Sequence, residues 1–500
     1  MFEALPEHFL HNATVRETDM NQNITLNPPA AVDRDLATGA PFIVRGKLVD
    51  ARDVNHKSRD LGMEFVTPRI DLDALIAPRT EPGPLFDVKL DEILDFLAAT
   101  GDAMKCDASG YLAECVDKIA LTNVLPRQQI QFQMSMAADY LHKERLREYA
   151  DQNLGDARLL DEWVPRIDST GRKSFTRAFP PRLVHVLPGN APVSAVQSIA
   201  LAAMVKAVNL FKMGSSDPFM TVAILRTMMD VDPDHPVLRS MSAVYWRGGD
   251  ERIEQAIYRP QYFDKIVAWG GGDAISNVIK YLMPGLQLVS FDPKTSISMI
   301  GVEAFESDAV MDQVAEYAAN DVSMGNQEPC VSSRVLFVEG ERKQIDSFCD
   351  RLKDKLVERS ALLGKAPPLP RDMAEEIEAL GMIGDEFGVW GVPDGNGMVV
   401  LSDIPADFHP IRKTANVVPV RSLGDALKYV NVATQTVGVY PSQRMADLRD
   451  GLASGGAQRV VRLGDAGGQS IGAPHDAMYI MHRFVHWIVN EDGFDPNFHR

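Results

Sequence analysis

The chain has 500 residues, too many for one simple core, so two or three domains are expected. Hydrophobic residues make up 45% and charged residues 24%, which is the balance of an ordinary folded protein. With 51 Lys and Arg against 69 Asp and Glu the net charge is −18, which argues against nucleic acid or an anionic membrane surface as the main partner.

Residues 1–85 are rich in Asn, Pro, Asp and Arg, and only PFIVRGKLV and MEFV read as strands there. The segment reads as an irregular arm with a small sheet. Its start, MFEALPEHFL, lacks the basic and then apolar run of a signal peptide, so a cytoplasmic protein is expected. From Asp87 to about Glu148 the pattern is helical: Leu90, Ile93, Leu94 and Leu97 share one face, as do Leu112, Cys115 and Ile119.

From Arg182 short apolar runs alternate with helices. Strands are expected at Leu183–Leu187, Asn209–Phe211, Met241–Trp246, Lys265–Trp269 and Leu286–Phe291. Helices are expected at Ser194–Lys206, Pro218–Met229, Glu251–Tyr258 and Ala274–Leu282. This alternation predicts an α/β fold with a doubly wound parallel sheet. The apolar stretch Val193–Phe211 is broken by Ser194, Gln197, Ser198, Lys206 and Asn209, so it reads as a buried helix and strand and not as a membrane span. A second α/β unit follows, with a helix at Ala309–Asn320, a strand at Val335–Val338 and helices at Arg342–Arg359 and Met373–Leu380. A Pro/Gly-rich stretch, Gly388 to Gly397, breaks the pattern.

The four cysteines form no Cys-x-x-Cys pair, so neither a zinc ribbon nor a disulfide scaffold is supported. Cys115 and Cys349 lie on apolar helix faces and read as core. Cys106 sits in the polar stretch AMKCDAS, which reads as a loop. Cys330 follows a loop of Gly, Asn, Gln and Pro directly before a strand, a place from which a side chain can face a cleft. Position alone leaves nucleophile and bystander equally open.

The strand-to-helix loops are where ligands bind on such sheets. Gly270, Gly271 and Gly272 lack the G-x-G-x-x-G spacing, yet bare backbone there suits either a tight turn or a dinucleotide diphosphate at a helix N-terminus. Lys212 ends a strand before Gly214-Ser215-Ser216, and reads either as a solvated lysine or as a cation for a ribose or its 2′-phosphate. Asn190, after Pro188-Gly189, is either turn chemistry or an oxyanion donor. His409, His475 and His482 share no metal-ligand spacing, so no metal is expected.

In order, VLPGNAPVSA, LFKMGSSDP, IVAWGGGDAI, FDPKTSISMIG, NDVSMGNQEPCVSSRVLFVEG, DFHPIRKTANVVPV and GAPHDAMYIMHRFVHWIV resemble the aldehyde dehydrogenase superfamily. More closely they resemble its luminescence-type (LuxC-type) long-chain acyl-CoA reductases, over roughly residues 85–490. The resemblance implies two doubly wound α/β domains with an active-site cleft between them. Residues 1–85 would be the arm, 86–298 the nicotinamide-cofactor-binding domain, 299–470 the catalytic domain and 471–500 a C-terminal helix and tail. It implies Cys330 as acyl-accepting nucleophile and Asn190 as oxyanion-hole residue. Lys212 would meet the cofactor ribose, Ser215 would also bind the cofactor, and Gly270, Gly271 and Gly272 would meet its diphosphate. NADPH is the implied cofactor, with NADH as an alternative. The implied substrate is a fatty acyl-CoA or acyl-protein thioester, the implied partner an acyl-activating synthetase, and the implied state a homo-oligomer.

Acid-forming aldehyde dehydrogenases carry a glutamate base in Glu-Leu-Gly-Gly-Lys, and the matching stretch here begins at Ser290, with Asp292 two residues on. Serine is no carboxylate base, so the acyl-enzyme is expected to go to reduction and not to hydrolysis. The superfamily's Glu-x-Phe-Gly-Pro glutamate falls on Ala406. The alternatives are an aldehyde dehydrogenase oxidising aldehyde to acid, and a catalytically silent binding subunit.

Overall fold

The computed structural model describes residues 38–76, 78–382 and 387–494. The stretch MFEALPEHFL lies outside them. The described residues form two compact units, one running to Pro293 and resuming at Ser470, the other covering Lys294–Gln469.

The first unit is built on a sheet whose core strands are β1 (Arg182–Val186), β2 (Val208–Lys212), β3 (Met241–Val244), β4 (Lys265–Trp269) and β5 (Gln287–Phe291). Their order is β5-β4-β1-β2-β3, all parallel. β1 and β3 are buried at every residue, as parallel strands covered on both faces must be. The crossovers leave β1 in both directions, so the order reverses between β1 and β4. The crevice beyond the carboxyl ends of these two strands is where such sheets take ligands.

Helices α1 (Leu90–Cys106), α2 (Tyr111–Thr122), α3 (Ser194–Met204), α4 (Met220–Val231), α5 (Glu251–Ile257) and α6 (Gly272–Ile279) belong to this unit. Cys106 is the last residue of α1 and not part of a loop; Asp107, at φ 41°, ends the helix. Cys115 is buried. The PFIVRGKLV segment extends the main sheet: Phe42–Val44 pairs antiparallel with β3 and turns back as Lys47–Val49. Arg45 and Gly46, both at positive φ, form the two-residue turn. MEFV does lie in a small sheet, where Glu64–Thr67 joins Thr38–Gly39 and Val54–Lys57.

After Ser470 a five-residue helix, Ile480–Phe484, leads into a nine-residue strand, His486–Phe494, paired with Arg172–Phe179. A strand follows the helix, and residues 495–500 of the expected tail lie outside the described residues. Lys265, on β4, ties this segment down. Its buried ammonium donates to the carbonyls of Arg483 at 2.6 Å and Val485 at 2.9 Å.

The second unit holds β6 (Thr295–Ile300), β7 (Ser333–Glu339), β8 (Gly388–Gly391), β9 (Met398–Leu401), β10 (Thr414–Val420), β11 (Thr434–Tyr440) and β12 (Arg459–Arg462), in the order β8-β9-β10-β7-β6-β11-β12. Only β8 runs antiparallel. It occupies the Pro/Gly-rich stretch that reads as a break, since its glycines sit on an edge strand where side-chain packing counts for little. α7 (Asp308–Ser323) and α8 (Arg342–Leu363) pack on the sheet, and α8 buries Ile345, Phe348, Cys349, Leu352 and Leu356. Among the described residues no helix is long and apolar enough to cross a membrane, and no cluster of three or more His, Cys, Asp or Glu could hold a metal.

Lys265→Met keeps the apolar stem but takes the donor from two carbonyls, the buried one of Val485 and the part-buried one of Arg483. The expected loss is about 2–3 kcal/mol in urea denaturation, with faster proteolysis near Val485.

Candidate active site

Three loops leave the carboxyl ends of the first unit's sheet. The loop after β1 carries half-buried Asn190. It lies against the loop after β2 so closely that a Cβ on Gly214 would come 2.8 Å from Gly189 Cα, which explains a glycine at each position. Asn123, just past α2, donates to Gly189 O at 2.6 Å and Ser216 O at 3.3 Å, and Thr122 Oγ1 donates to Ser216 O at 3.0 Å.

Lys212 is the last residue of β2. Burial pulls its pKa down to about 8. Its ammonium sits 5.9 Å from the centre of the Tyr245 ring, beside β3. The Tyr245 hydroxyl bonds Ser215, and Ser215 Oγ accepts the Arg59 backbone N–H at 3.3 Å. The Arg59 guanidinium also acts on the Lys212 charge. Lys212, Ser215, Tyr245 and Arg59 thus form one corner, where the buried Glu254 carboxylate acts on the Lys212 charge more strongly than Arg59 does. Sequence reasoning missed Tyr245 and Arg59: one ends an apolar run, and the other belongs to the arm that carries no motif.

The loop after β4 begins with Gly270 and enters α6 at Gly272, with Gly271 as the uncapped N-cap. A Cβ at Gly271 or Gly272 would meet nothing within 4 Å. The first N–H groups of a helix have no partner within it. Open backbone at that point fits an anion such as a dinucleotide diphosphate. Trp269 stacks on Phe291 at 3.5 Å, both 5.6 Å from the His475 ring. Ser290, half-buried on β5, is in register with Ala268, whereas Asp292 is exposed beyond the strand. Asn190, Lys212, Ser215 and the three glycines therefore share one sheet end.

Cys330 belongs to the second unit. It is half-buried in the turn between α7 and β7, at the amino end of that strand. The approach runs through three left-handed residues: Gly325 (φ 53°), Asn326 (φ 57°) and Gln327 (φ 66°). For the two non-glycines that costs roughly 1–2 kcal/mol each. The buried Gln327 side chain holds them. Its amide donates to Ser333 O at 3.0 Å and Thr414 O at 2.8 Å, and its Oε1 accepts the Thr414 N–H at 3.1 Å. Ser332 Oγ donates to Met324 O at 2.9 Å, and Ser296 Oγ to Cys330 O at 2.7 Å.

Arg334, 4% exposed, donates to Gln327 O at 2.6 Å and to Pro410 O. Burial lowers its pKa to about 10, which still leaves it cationic near neutrality. Glu328 and then Cys330 act on this guanidinium as negative charges, and Asp321, Asp465 and then Cys330 act on that of Arg459 on β12. Neither arginine was singled out in the sequence: Arg334 is in the motif that carries Cys330 but reads as part of the following strand, and Arg459 begins a strand outside the motifs. Cys349 is buried, and burial pushes its thiol well above the ordinary range.

The acyl-CoA reductase (LuxC) family profile matches residues 85–487. The chain belongs to this family. A long-chain acyl-protein thioester reductase from Vibrio harveyi is 25% identical over 472 residues, covering 91% of this chain and 94% of the relative. One from Photorhabdus luminescens is 32% identical over 358 residues, 70% of this chain and 71% of the relative. Among solved structures, an NAD-dependent aldehyde dehydrogenase from Sinorhizobium meliloti superposes with a TM-score of 0.70 at 14% identity, covering 93% and 97% of the two chains. An NADP-dependent enzyme from E. coli gives 0.69 at 13% identity, covering 91% and 98%. The fold is that of the aldehyde dehydrogenases.

This LuxC family member is an oxidoreductase that reduces an acyl group to an aldehyde. At the two departures noted in its sequence, the structure places Ser290 within β5. Ala406 lies in the loop after β9, its N–H donating to Asn416 Oδ1 at 2.9 Å.

Gln327→Ala would remove three hydrogen bonds, taking the amide donor from the Ser333 and Thr414 carbonyls while the Thr414 N–H keeps Ile411 O, and it would keep the left-handed backbone. Stability is expected to fall by about 3 kcal/mol or more in chemical denaturation. Ser347→Ala, on the exposed face of α8, is the control and should stay within about 0.5 kcal/mol.

Proposed function

We propose that the chain reduces a long-chain acyl thioester, carried by CoA or by a protein thiol, to the aldehyde with NADPH, through a thioester on Cys330. What carries the reading is the way Cys330 is presented. A half-buried thiol stands on a turn fixed by Gln327 and within the field of two guanidiniums, while Cys115 and Cys349 are buried in cores.

A thiolate is the attacking species, and the Arg334 and Arg459 guanidiniums bring positive charge to bear on Cys330. Cys330 attacks the acyl carbonyl and expels the donor thiol. Asn190 donates to the oxyanion, a contribution worth about 10²–10³-fold in turnover. Lys212 and Ser215 hold the adenosine ribose, and the Gly270–Gly272 turn holds the diphosphate. A reduced nicotinamide, when bound, supplies hydride to the acyl carbon. Collapse of the resulting hemithioacetal releases aldehyde and returns the Cys330 thiolate. Ser290 offers no carboxylate to activate water, so hydrolysis lacks help worth about 10²–10⁴-fold.

Wild-type protein given palmitoyl-CoA without cofactor should accumulate one acyl group per chain, mapped to Cys330 by mass spectrometry, with little free acid. Cys330→Ala should abolish both label and aldehyde. A label on Cys106, or rapid acid release by the wild type, would contradict the assignment. Supplying the same acyl group on CoA and on the cysteine of an acylated protein distinguishes the two donors by rate.

Lys212 carries its charge below pH ~8 and loses it above. NADPH affinity should therefore fall as pH rises from 7 to 9, and NADH affinity should fall less. Lys212→Ala should remove that pH dependence and weaken NADPH more than NADH. Equal losses for both cofactors, measured by calorimetry, would limit this lysine to the ribose.

A further inference from the structure

Asn123 lies outside every motif that carries the family resemblance. It is 2% exposed and fully bonded. Its amide nitrogen donates to Gly189 O at 2.6 Å and to Ser216 O at 3.3 Å, and its Oδ1 accepts the Leu125 N–H at 3.0 Å. The same Ser216 carbonyl accepts Thr122 Oγ1 at 3.0 Å. Gly189 immediately precedes Asn190, and Ser216 follows the Lys212–Ser215 turn. The loops themselves touch where Gly214 meets Gly189. One buried carboxamide therefore spans the loop of the oxyanion donor and the loop of the cofactor cation.

We propose that Asn123 is a positioning residue that locks the Asn190 and Lys212–Ser215 loops into one register, so that oxyanion hole and cofactor ribose site are set together. The inference rests on the roles given above to Asn190 and Lys212. The carbonyl of Gly189 belongs to the peptide whose N–H is Asn190's own. Fixing that oxygen fixes the plane from which the Asn190 side chain departs. The bond to Ser216 does the same for the turn after β2. Neither loop is held by a strand ladder at these points, so side-chain donors set their relation. A displacement of about 1 Å at a reacting group can cost roughly 10²-fold in rate, which sets the scale of what such a lock controls.

Asn123→Asp removes the donor and turns a carboxylate toward two carbonyl oxygens. The test uses the full chain with palmitoyl-CoA and NADPH. It compares Asn123→Asp, Asn190→Ala and the double variant, and measures dissociation constants for NADPH and for adenosine 2′,5′-bisphosphate by calorimetry. Asn123→Asp should lower kcat about 10- to 100-fold with palmitoyl-CoA KM changed less than about 2-fold, and weaken both ligands about 5-fold. On the Asn190→Ala background the further kcat loss should shrink to less than about 3-fold, because the group being positioned is gone. A full-sized loss on that background, or wild-type kcat and ligand binding in Asn123→Asp, overturns the inference. Wild-type turnover in Asn190→Ala overturns the reading beneath it, and the inference with it. Thr122→Val, which keeps side-chain shape and removes one bond to Ser216, serves if the aspartate variant does not fold. It should weaken adenosine 2′,5′-bisphosphate about 2- to 3-fold with an unchanged melting temperature. Unchanged binding there also overturns the proposal.

Discussion

A parallel sheet satisfies its backbone only along its strands, and where the chain leaves a strand its peptide groups must find other partners or stay wet. In the second unit the Gln327 side chain meets that need at the critical place. It reaches Ser333 O, Thr414 O and the Thr414 N–H, and so behaves like a further residue of the ladder between β7 and β10. Those bonds help to hold the left-handed run Gly325–Gln327. Cys330, three residues on, takes its position from that turn, and Arg334 closes it from the strand side.

The first unit solves the same problem at the opposite end of its strands. Asn123 and Thr122 serve the peptides after β1 and β2, and Gly189 and Gly214 allow the two loops to touch. Side-chain amides bonded to main chain are stiff, because a buried carbonyl or N–H that loses its partner costs about 1–3 kcal/mol. Catalytic and ligand-binding groups mounted on such loops inherit that stiffness without standing in a regular element.

Much of the architecture was legible in the sequence because the parallel strands are apolar throughout and the helices between them keep their period. β4 spans the very residues expected, and the neighbouring strands differ by one or two at their ends. Errors fell where a local signal was overruled. Polar neighbours made Cys106 read as loop, yet α1 needs it to complete a last turn before Asp107. Glycines hid the edge strand β8. The Phe42–Val49 hairpin joined the large sheet because Phe42 and Ile43 had a core to enter, something no local pattern records. At the site the motifs pointed to Cys330, Asn190, Lys212 and the glycines. They included Gln327 without showing what it bonds, and gave no sign of Asn123 or Arg59, which reach partners far away in the chain.

Lys265 grips the carbonyls of Arg483 and Val485, and His486–Phe494 closes onto Arg172–Phe179, so the first unit is finished by a segment made nearly 180 residues after the rest of it. This has a consequence for how the chain is born. On a ribosome, domains close as their sequence emerges. Among the described residues the Lys294–Gln469 unit is continuous, and its sheet can close once its own last strand is out. The enclosing unit, though begun first, must wait with the edge of Arg172–Phe179 unpaired and the Lys265 ammonium unsatisfied. The order of synthesis and the order of completion are therefore inverted: the unit that bears Cys330 matures before the unit that was begun first.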